Sequence, residues 1–403
     1  MRDLSTLPKV ELHLHLEGTL EPETVLELAR RNKVELPYAD LEDLRGRYEF
    51  TDLQSFLDLV YANLTVLQTE EDFSDLVTAY VARAAAGGVR HVEAFFDPQP
   101  HVARGIPLQR VLDGLVSGIA AAERDHGTTV ELIACFHRDR SEEEALAMLA
   151  ALEEAGAPII GIGLDSAEVG NPPAKFQRVY ARASELGLHR VAHAGEEGGA
   201  ASVTEALDLL HIERVDHGIQ AIDDAALMDR LARAGTPLTM CPLSNVRLRC
   251  VDTLADHPLP AFLDAGVVVT VNSDDPAYFG GYANANYEAL RATFGFSDEV
   301  MARLARNSVT ASFLPEGRKT GLLTEIDAET LSSLTAVEIP DSASDLRATC
   351  ETHRDGFWVR ASFQFDPRDL ADFRSQETLG GELKPGYQTV YSNVPEIRRP
   401  LGM

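Results

Sequence analysis

Val10-Glu-Leu-His-Leu-His-Leu16 decides the fold once it is set beside Val267-Val-Val-Thr-Val-Asn-Ser-Asp-Asp-Pro276. In an extended segment, alternate side chains share a face, so His13 and His15 point the same way. Two imidazoles aimed into one space repel each other when protonated, and a metal ion is their natural occupant. Asp274 and Asp275 follow an apolar β-prone run. Adjacent carboxylates point in different directions, so one can bind a metal while the other receives a substrate group. In an open doubly wound sheet the first and last of these strands lie apart, whereas in a closed barrel they are neighbours. The pairing therefore predicts a barrel in which His13 and Asp274 share one ion.

The rest of the chain supplies the staves. Apolar β-prone runs occur at Val10–Leu16, Val89–Phe96, Thr129–Phe136, Ile159–Leu164, His189–His193, Arg214–His217, Pro237–Cys241 and Val267–Val271. Helix-like segments fall between most of them: Pro107–Asp125, Glu142–Ala155, Ala174–Leu186, Val203–Leu210 and Asp224–Ala234. This order predicts an α/β fold, a TIM-type (β/α)8 barrel with its site at the C-terminal strand ends. The first interval, about residues 21–88, is long. It carries three helix-like segments (Pro22–Asn32, Leu53–Thr65, Glu71–Ala86), which suit a lid over the barrel mouth. Residues 1–334 thus read as the barrel. Residues 335–403 read as a small appended α/β segment with a strand-like run at Gly356–Gln364 and a helix-like stretch at Pro367–Ser375. Self-association is one role open to this tail.

A net charge of −28 argues against nucleic-acid or anionic-membrane partners, because phosphate neutralisation needs basic patches. No apolar run approaches the roughly 20 residues of a membrane span. The four cysteines show no Cys-x-x-Cys spacing, so reduced thiols in the cytoplasm are expected.

Two further motifs complete a constellation. Val191-Ala-His-Ala-Gly-Glu-Glu-Gly-Gly199 places His193 at the end of strand 5, with Glu196 three residues on. Asp216-His-Gly218 places His217 at the end of strand 6. His13, His15, His193 and Asp274 form a ligand set for one metal, leaving room for water, whose pKa such a metal lowers from 15.7 to about 7. Glu196 is the candidate for proton transfer, and its neighbour Glu197 reads as a surface carboxylate. His217 can steady the nucleophile and the charge that grows during attack.

Pro8-Lys-Val-Glu-Leu-His-Leu-His-Leu-Glu-Gly18, His193-Ala-Gly-Glu196, Asp216-His-Gly218 and Asn272-Ser-Asp-Asp-Pro276 resemble the adenosine/adenine deaminase family of the amidohydrolase superfamily. The similarity runs from about Leu7 to Leu323. It implies a (β/α)8 barrel with one divalent metal, zinc first and Fe2+ second, bound by His13, His15, His193 and Asp274. It implies hydrolytic deamination of a 6-aminopurine by a metal-activated hydroxide. Glu196 would serve N1, His217 would orient the hydroxide, Asp274 would assist as base, and Asp275 would contact N7. Gly161-Ile-Gly-Leu-Asp-Ser-Ala-Glu168 has no lysine to bridge two metals, which favours a single ion.

Several segments resemble the adenine branch, among them Asp52-Leu-Gln-Ser-Phe-Leu57 and Gly163-Leu-Asp-Ser-Ala-Glu168. Adenine, going to hypoxanthine and ammonia, is therefore the expected substrate. Glu17 would fill space that a ribose takes, and Ser166 and Glu168, with Gly163, would meet the N3/N9 edge. Adenosine or N6-substituted adenine as substrate, and a non-catalytic purine-binding or scaffold role, remain open at this point.

Overall fold

The computed structural model describes residues 3–335, 344–353, 356–364, 383–384 and 387–394. Eight strands form one sheet in chain order: β1 (Lys9–Glu11), β2 (Val89–Phe96), β3 (Thr129–His137), β4 (Ile159–Asp165), β5 (His189–Ala194), β6 (Arg214–His217), β7 (Leu238–Met240) and β8 (Val269–Val271). Every adjacent pair is parallel. The ring closes just beyond the strands. Leu14 bridges to Asp274, the His15 N–H donates to the Asp274 carbonyl at 3.0 Å, and the Asp274 N–H donates to the His13 carbonyl at 3.1 Å. The expected barrel is therefore present, and its seam lies between the two segments that predicted it.

Strand 1 is shorter than expected. It ends at Glu11, and His13 and His15 follow on extended backbone held by β8 and β2, with His15 bridging to Phe95. The alternation survives because these bridges keep the pleat. The helix-like segment 174–186 divides into a 3-10 turn (Pro173–Phe176) and a helix (Gln177–Glu185). Segment 203–210 belongs to a helix (Ala200–Glu205) continued by a π turn (Ala206–Leu210).

The interval after β1 holds four helices, not three: Pro22–Asn32, Leu41–Gly46, Leu53–Asn63 and Glu70–Ala86. Leu41–Gly46 is too short to show a periodic apolar face. The Leu53–Asn63 helix starts at a capping box, in which the Asp52 side chain takes the Ser55 N–H at 2.8 Å and the Ser55 hydroxyl meets the Asp52 N–H.

Beneath the mouth, Phe95, Ile133, Cys135 and Val191 fill the barrel interior. The Phe95 ring lies 5.1 Å from that of His13 and 5.0 Å from that of His15, forming a floor under the histidines. After the Glu316–Thr335 helix, β9 (Ser344–His353), β10 (Gly356–Gln364), β11 (Leu383–Lys384) and β12 (Tyr387–Val394) form an antiparallel sheet in the order β11-β12-β10-β9. The expected strand at Gly356–Gln364 is β10, while the stretch expected to be helical at 367–375 lies outside the described residues. Among the described residues, no helix is long and apolar enough to cross a membrane.

Candidate active site

The strand ends aim their side chains into the mouth by leaving ordinary backbone space. Ser166 after β4, His217 at the end of β6 and Asp274 after β8 have φ of 70°, 62° and 66°. Left-handed backbone at a non-glycine residue costs roughly 1–3 kcal/mol and persists where the surroundings enforce it, which is common at functional sites.

Four ligand-type side chains meet there. His13 Nε2 is 3.2 Å and His15 Nε2 is 3.5 Å from Asp274 Oδ1, and His15 Nε2 is 3.2 Å from His193 Nε2. His217 approaches the other carboxylate oxygen, Oδ2, at 3.7 Å, and Glu196 Oε1 at 3.5 Å. Of these six side chains five are buried, and His15 is nearly so. His13 Nε2 and Glu196 Oε1 have no hydrogen-bond partner. Three imidazoles crowding one carboxylate, with an unsatisfied ring nitrogen among them, suit a divalent cation with N and O ligands.

A second ring of partners holds these groups. Thr239 lies 3.0 Å from His13 Nδ1 and donates to Asp216 at 2.8 Å. Asp216 lies 3.8 Å from His193 Nδ1, and Asp165 lies 3.7 Å from His15 Nδ1. Ser244 donates to Asp274 Oδ2 at 2.6 Å. Such partners fix ring orientation and tautomer at metal sites.

Burial and neighbours set the charges. Burial, reinforced by Asp274 and Glu168, holds the Glu196 carboxyl well above the usual range. Burial, then Asp274, does the same to Asp275. Burial works against the Asp274 carboxylate, but His13, His217 and His15 outweigh it and hold its pKa well below the ordinary value. Burial, with His13 beside it, brings His217 down to about 3. One acid is thus kept protonated and another ionised within the same few ångströms, the arrangement that divides acid from base.

The cavity takes in about 500 Å³ of empty space, part of it open to solvent. Its floor includes His15, His193, Glu196, His217 and Asp274, and its roof is the Leu53–Asn63 helix, which contributes Leu53, Phe56, Leu57, Val60 and Tyr61. Asp275 reaches in because residue 18 is glycine. A Cβ there would lie 1.9 Å from Asp275 Oδ1. Glu17 is anchored at one oxygen by the Asp97 N–H and by His101, both at 3.0 Å, while its other oxygen is buried without a partner. Ser166 lines the wall within 3.2 Å of the Tyr61 hydroxyl.

Two expected substrate contacts are corrected. Glu168 does not line this cavity. Its carboxylate accepts from the N–H groups of Gly195, Glu196, Glu197 and Gly198 and from the Ser202 hydroxyl, at 2.6–3.0 Å. It shapes the loop that carries Glu196. Gly163 also lies off the cavity, where a Cβ would meet Cys135 Sγ at 2.4 Å. Glu197 is exposed as expected, while Glu196 is buried.

The sequence reading did not assign Asp97, Asp165 or His137. Asp97 Oδ2 pairs with His137 Nε2 at 3.1 Å, and Asp97 and Asp165 both line the cavity. The available signal was position, since Asp97 follows β2 and Asp165 ends β4.

The sequence profile of the family described as adenosine deaminase matches residues 8–329. A protein named adenine deaminase from Streptomyces coelicolor is 57% identical over 337 residues, covering 84% of this chain and 97% of its own. One of the same name from Cupriavidus taiwanensis is 56% identical over 320 residues, covering 79% and 91%. The crystal structure of adenine deaminase from Arthrobacter aurescens is 58% identical, with a TM-score of 0.79, covering 79% of this chain and 98% of its own. An amidohydrolase from Burkholderia ambifaria, solved with bound Zn, is 30% identical with a TM-score of 0.75, covering 82% and 93%. A barrel closed at its metal-type ligands, with a profile match from residue 8 to residue 329, makes this chain a member of the adenosine deaminase family.

Proposed function

We propose that this protein hydrolytically deaminates adenine, giving hypoxanthine and ammonia. The carrying observation is the convergence of His13, His15, His193 and Asp274 beside the buried acid Glu196 in one roofed cavity. These four side chains would hold a divalent cation, which when bound makes a water nucleophilic near neutral pH. Zinc is the first candidate, on the strength of its N/O ligand set and the zinc in the Burkholderia amidohydrolase, and Fe2+ is the second.

The chain's own groups then divide the work. Glu196, protonated through burial, gives its proton to ring N1 and so makes C6 more electrophilic. His217 orients the attacking oxygen. Asp274 Oδ2 takes one proton of the attacking water and passes it to the amine, which leaves C6 as ammonia, and the water's second proton restores the Glu196 acid. Asp275, also protonated, donates to N7, and Ser166 meets the N3/N9 edge.

A free base suits the walls better than a nucleotide. Glu17, Asp97, Asp165 and Asp275 line the cavity, and among the described residues no lysine or arginine does. A phosphate would find no lysine or arginine there to neutralise it. The relatives named adenine deaminase, at 54–57% identity, support the same substrate. The net charge of −28 suits a cytoplasmic enzyme of small purines, without nucleic-acid or membrane partners. Residues 1–334 would be the catalytic unit and 335–403 an appended segment.

Ammonia release from adenine, adenosine and N6-alkyl adenines, measured on zinc- and iron-loaded protein, tests the reading. Adenine is expected to turn over fastest. Efficient adenosine turnover with little from adenine would overturn the substrate assignment. No release from any 6-aminopurine, with Glu196→Gln altering binding alone, would favour a purine-binding protein.

A further inference from the structure

His217 is a single imidazole whose two nitrogens face different worlds, and its use depends on which one carries the proton. Nδ1 points into the protein and Nε2 into the cavity, toward Glu196 Oε1 and Asp274 Oδ2. We propose that His257 and Asn245 are positioning residues that lock His217 as its Nε2–H tautomer, through a one-way relay that begins at a backbone N–H. The proposal rests on the role given to His217 above.

The relay starts at the helix Leu259–Asp264. The N–H of its first residue, Leu259, has no partner within the helix and donates to His257 Nδ1 at 3.1 Å. A backbone N–H cannot reverse its role, so His257 Nδ1 must present its lone pair. His257 is buried, and burial brings its pKa down to about 4, so the ring is neutral at pH 7. Its one proton therefore sits on Nε2, which lies 3.2 Å from Asn245 Oδ1 and donates to it. This fixes which end of the Asn245 amide is oxygen. The other end, Nδ2, then donates to His217 Nδ1 at 3.2 Å. With that lone pair occupied, the single proton of neutral His217 resides on Nε2.

The outcome matters for chemistry. His217 meets the reacting oxygen as a hydrogen-bond donor, in a state that neither Glu196 nor Asp274 needs to establish. In the opposite tautomer Nε2 would present a lone pair and have no hydrogen to donate to the attacking oxygen. A wrong tautomer at a catalytic histidine costs on the order of 10⁴-fold in rate.

The test combines ring 15N NMR of the zinc-loaded protein with steady-state kinetics. Wild type should show His217 protonated at Nε2. Asn245→Asp keeps the acceptor for His257 but offers His217 a carboxylate, so the proton should move to Nδ1. In that variant kcat should fall by about 10²-fold or more, while KM for adenine changes by less than roughly threefold. His257→Gln retains an N–H donor toward Asn245 and should recover most of the rate that His257→Phe loses. A wild-type spectrum with His217 protonated at Nδ1 would refute the relay, as would an Asn245→Asp enzyme with unchanged kcat. If Asn245→Asp does not fold, the wild-type spectrum alone decides. If no 6-aminopurine is turned over, the functional reading fails, and the spectrum still judges the relay.

Discussion

Glu196 and Glu197 are chain neighbours with opposite fates, one buried beside the ligand cluster and one exposed. The difference comes from Glu168, whose carboxylate gathers four successive N–H groups and so turns the loop. Because the Glu196 pKa is raised, its proton-donating form persists above the ordinary glutamate range and is lost as pH rises through that value. The kcat/KM profile for adenine should therefore decline on its alkaline side. Glu196→Gln should lower kcat by about 10²–10⁴-fold and abolish that limb, with metal content unchanged. Gly18→Ala should act through Asp275. Its Cβ would displace a carboxyl group proposed to contact substrate, so KM should rise roughly tenfold, the value of one good hydrogen bond. Residues that bond along short local motifs were legible in the sequence, His13, His15, His193, Glu196 and Asp274 among them. Asp97, Asp165 and His137 were not, because their roles arise only from strands brought side by side. Glu168 was misassigned for the same reason, since its partners lie in the next loop.

The Leu53–Asn63 helix carries the roof, and its start depends on one side chain. Asp52→Ala removes the cap and should destabilise this element by about 1 kcal/mol. Amide exchange across 53–63 should quicken and KM should rise, with little shift in the global melting temperature. The strands themselves were largely readable, because β-branched and apolar runs recur between helix-length segments. The C-terminal boundary of strand 1 was not. Leu12 to Leu16 read as strand by alternation, yet past Glu11 this segment is fixed by isolated bridges to Asp274 and Phe95. The helix Leu41–Gly46 escaped notice because a single turn and a half cannot display a period.

Across the whole molecule, stability should respond to acid through His257. Its folded pKa of about 4 lies below the unfolded value near 6.5, so the folded state refuses a proton that the unfolded chain accepts. The contribution is complete above pH 6.5 and drains away as pH falls toward 4. It amounts to at most about 3 kcal/mol, and denaturant midpoints of wild type and His257→Gln should converge over that window. The profile match ends at residue 329, and the relatives, matched over 91–98% of their own lengths, cover only 79–84% of this chain. A chain ended after Thr335 should therefore keep kcat within about twofold in an ammonia-release assay. The barrel seam has a further consequence, in the time order of synthesis. Residue 274 both closes the ring and supplies a proposed metal ligand, and its partner ligands His13 and His15 are made first. With His193 made next, a nascent chain leaving the ribosome thus lacks its fourth proposed ligand until residue 274 has been added. Completion of the proposed ligand set and closure of the ring therefore wait on the same residue, just past β8.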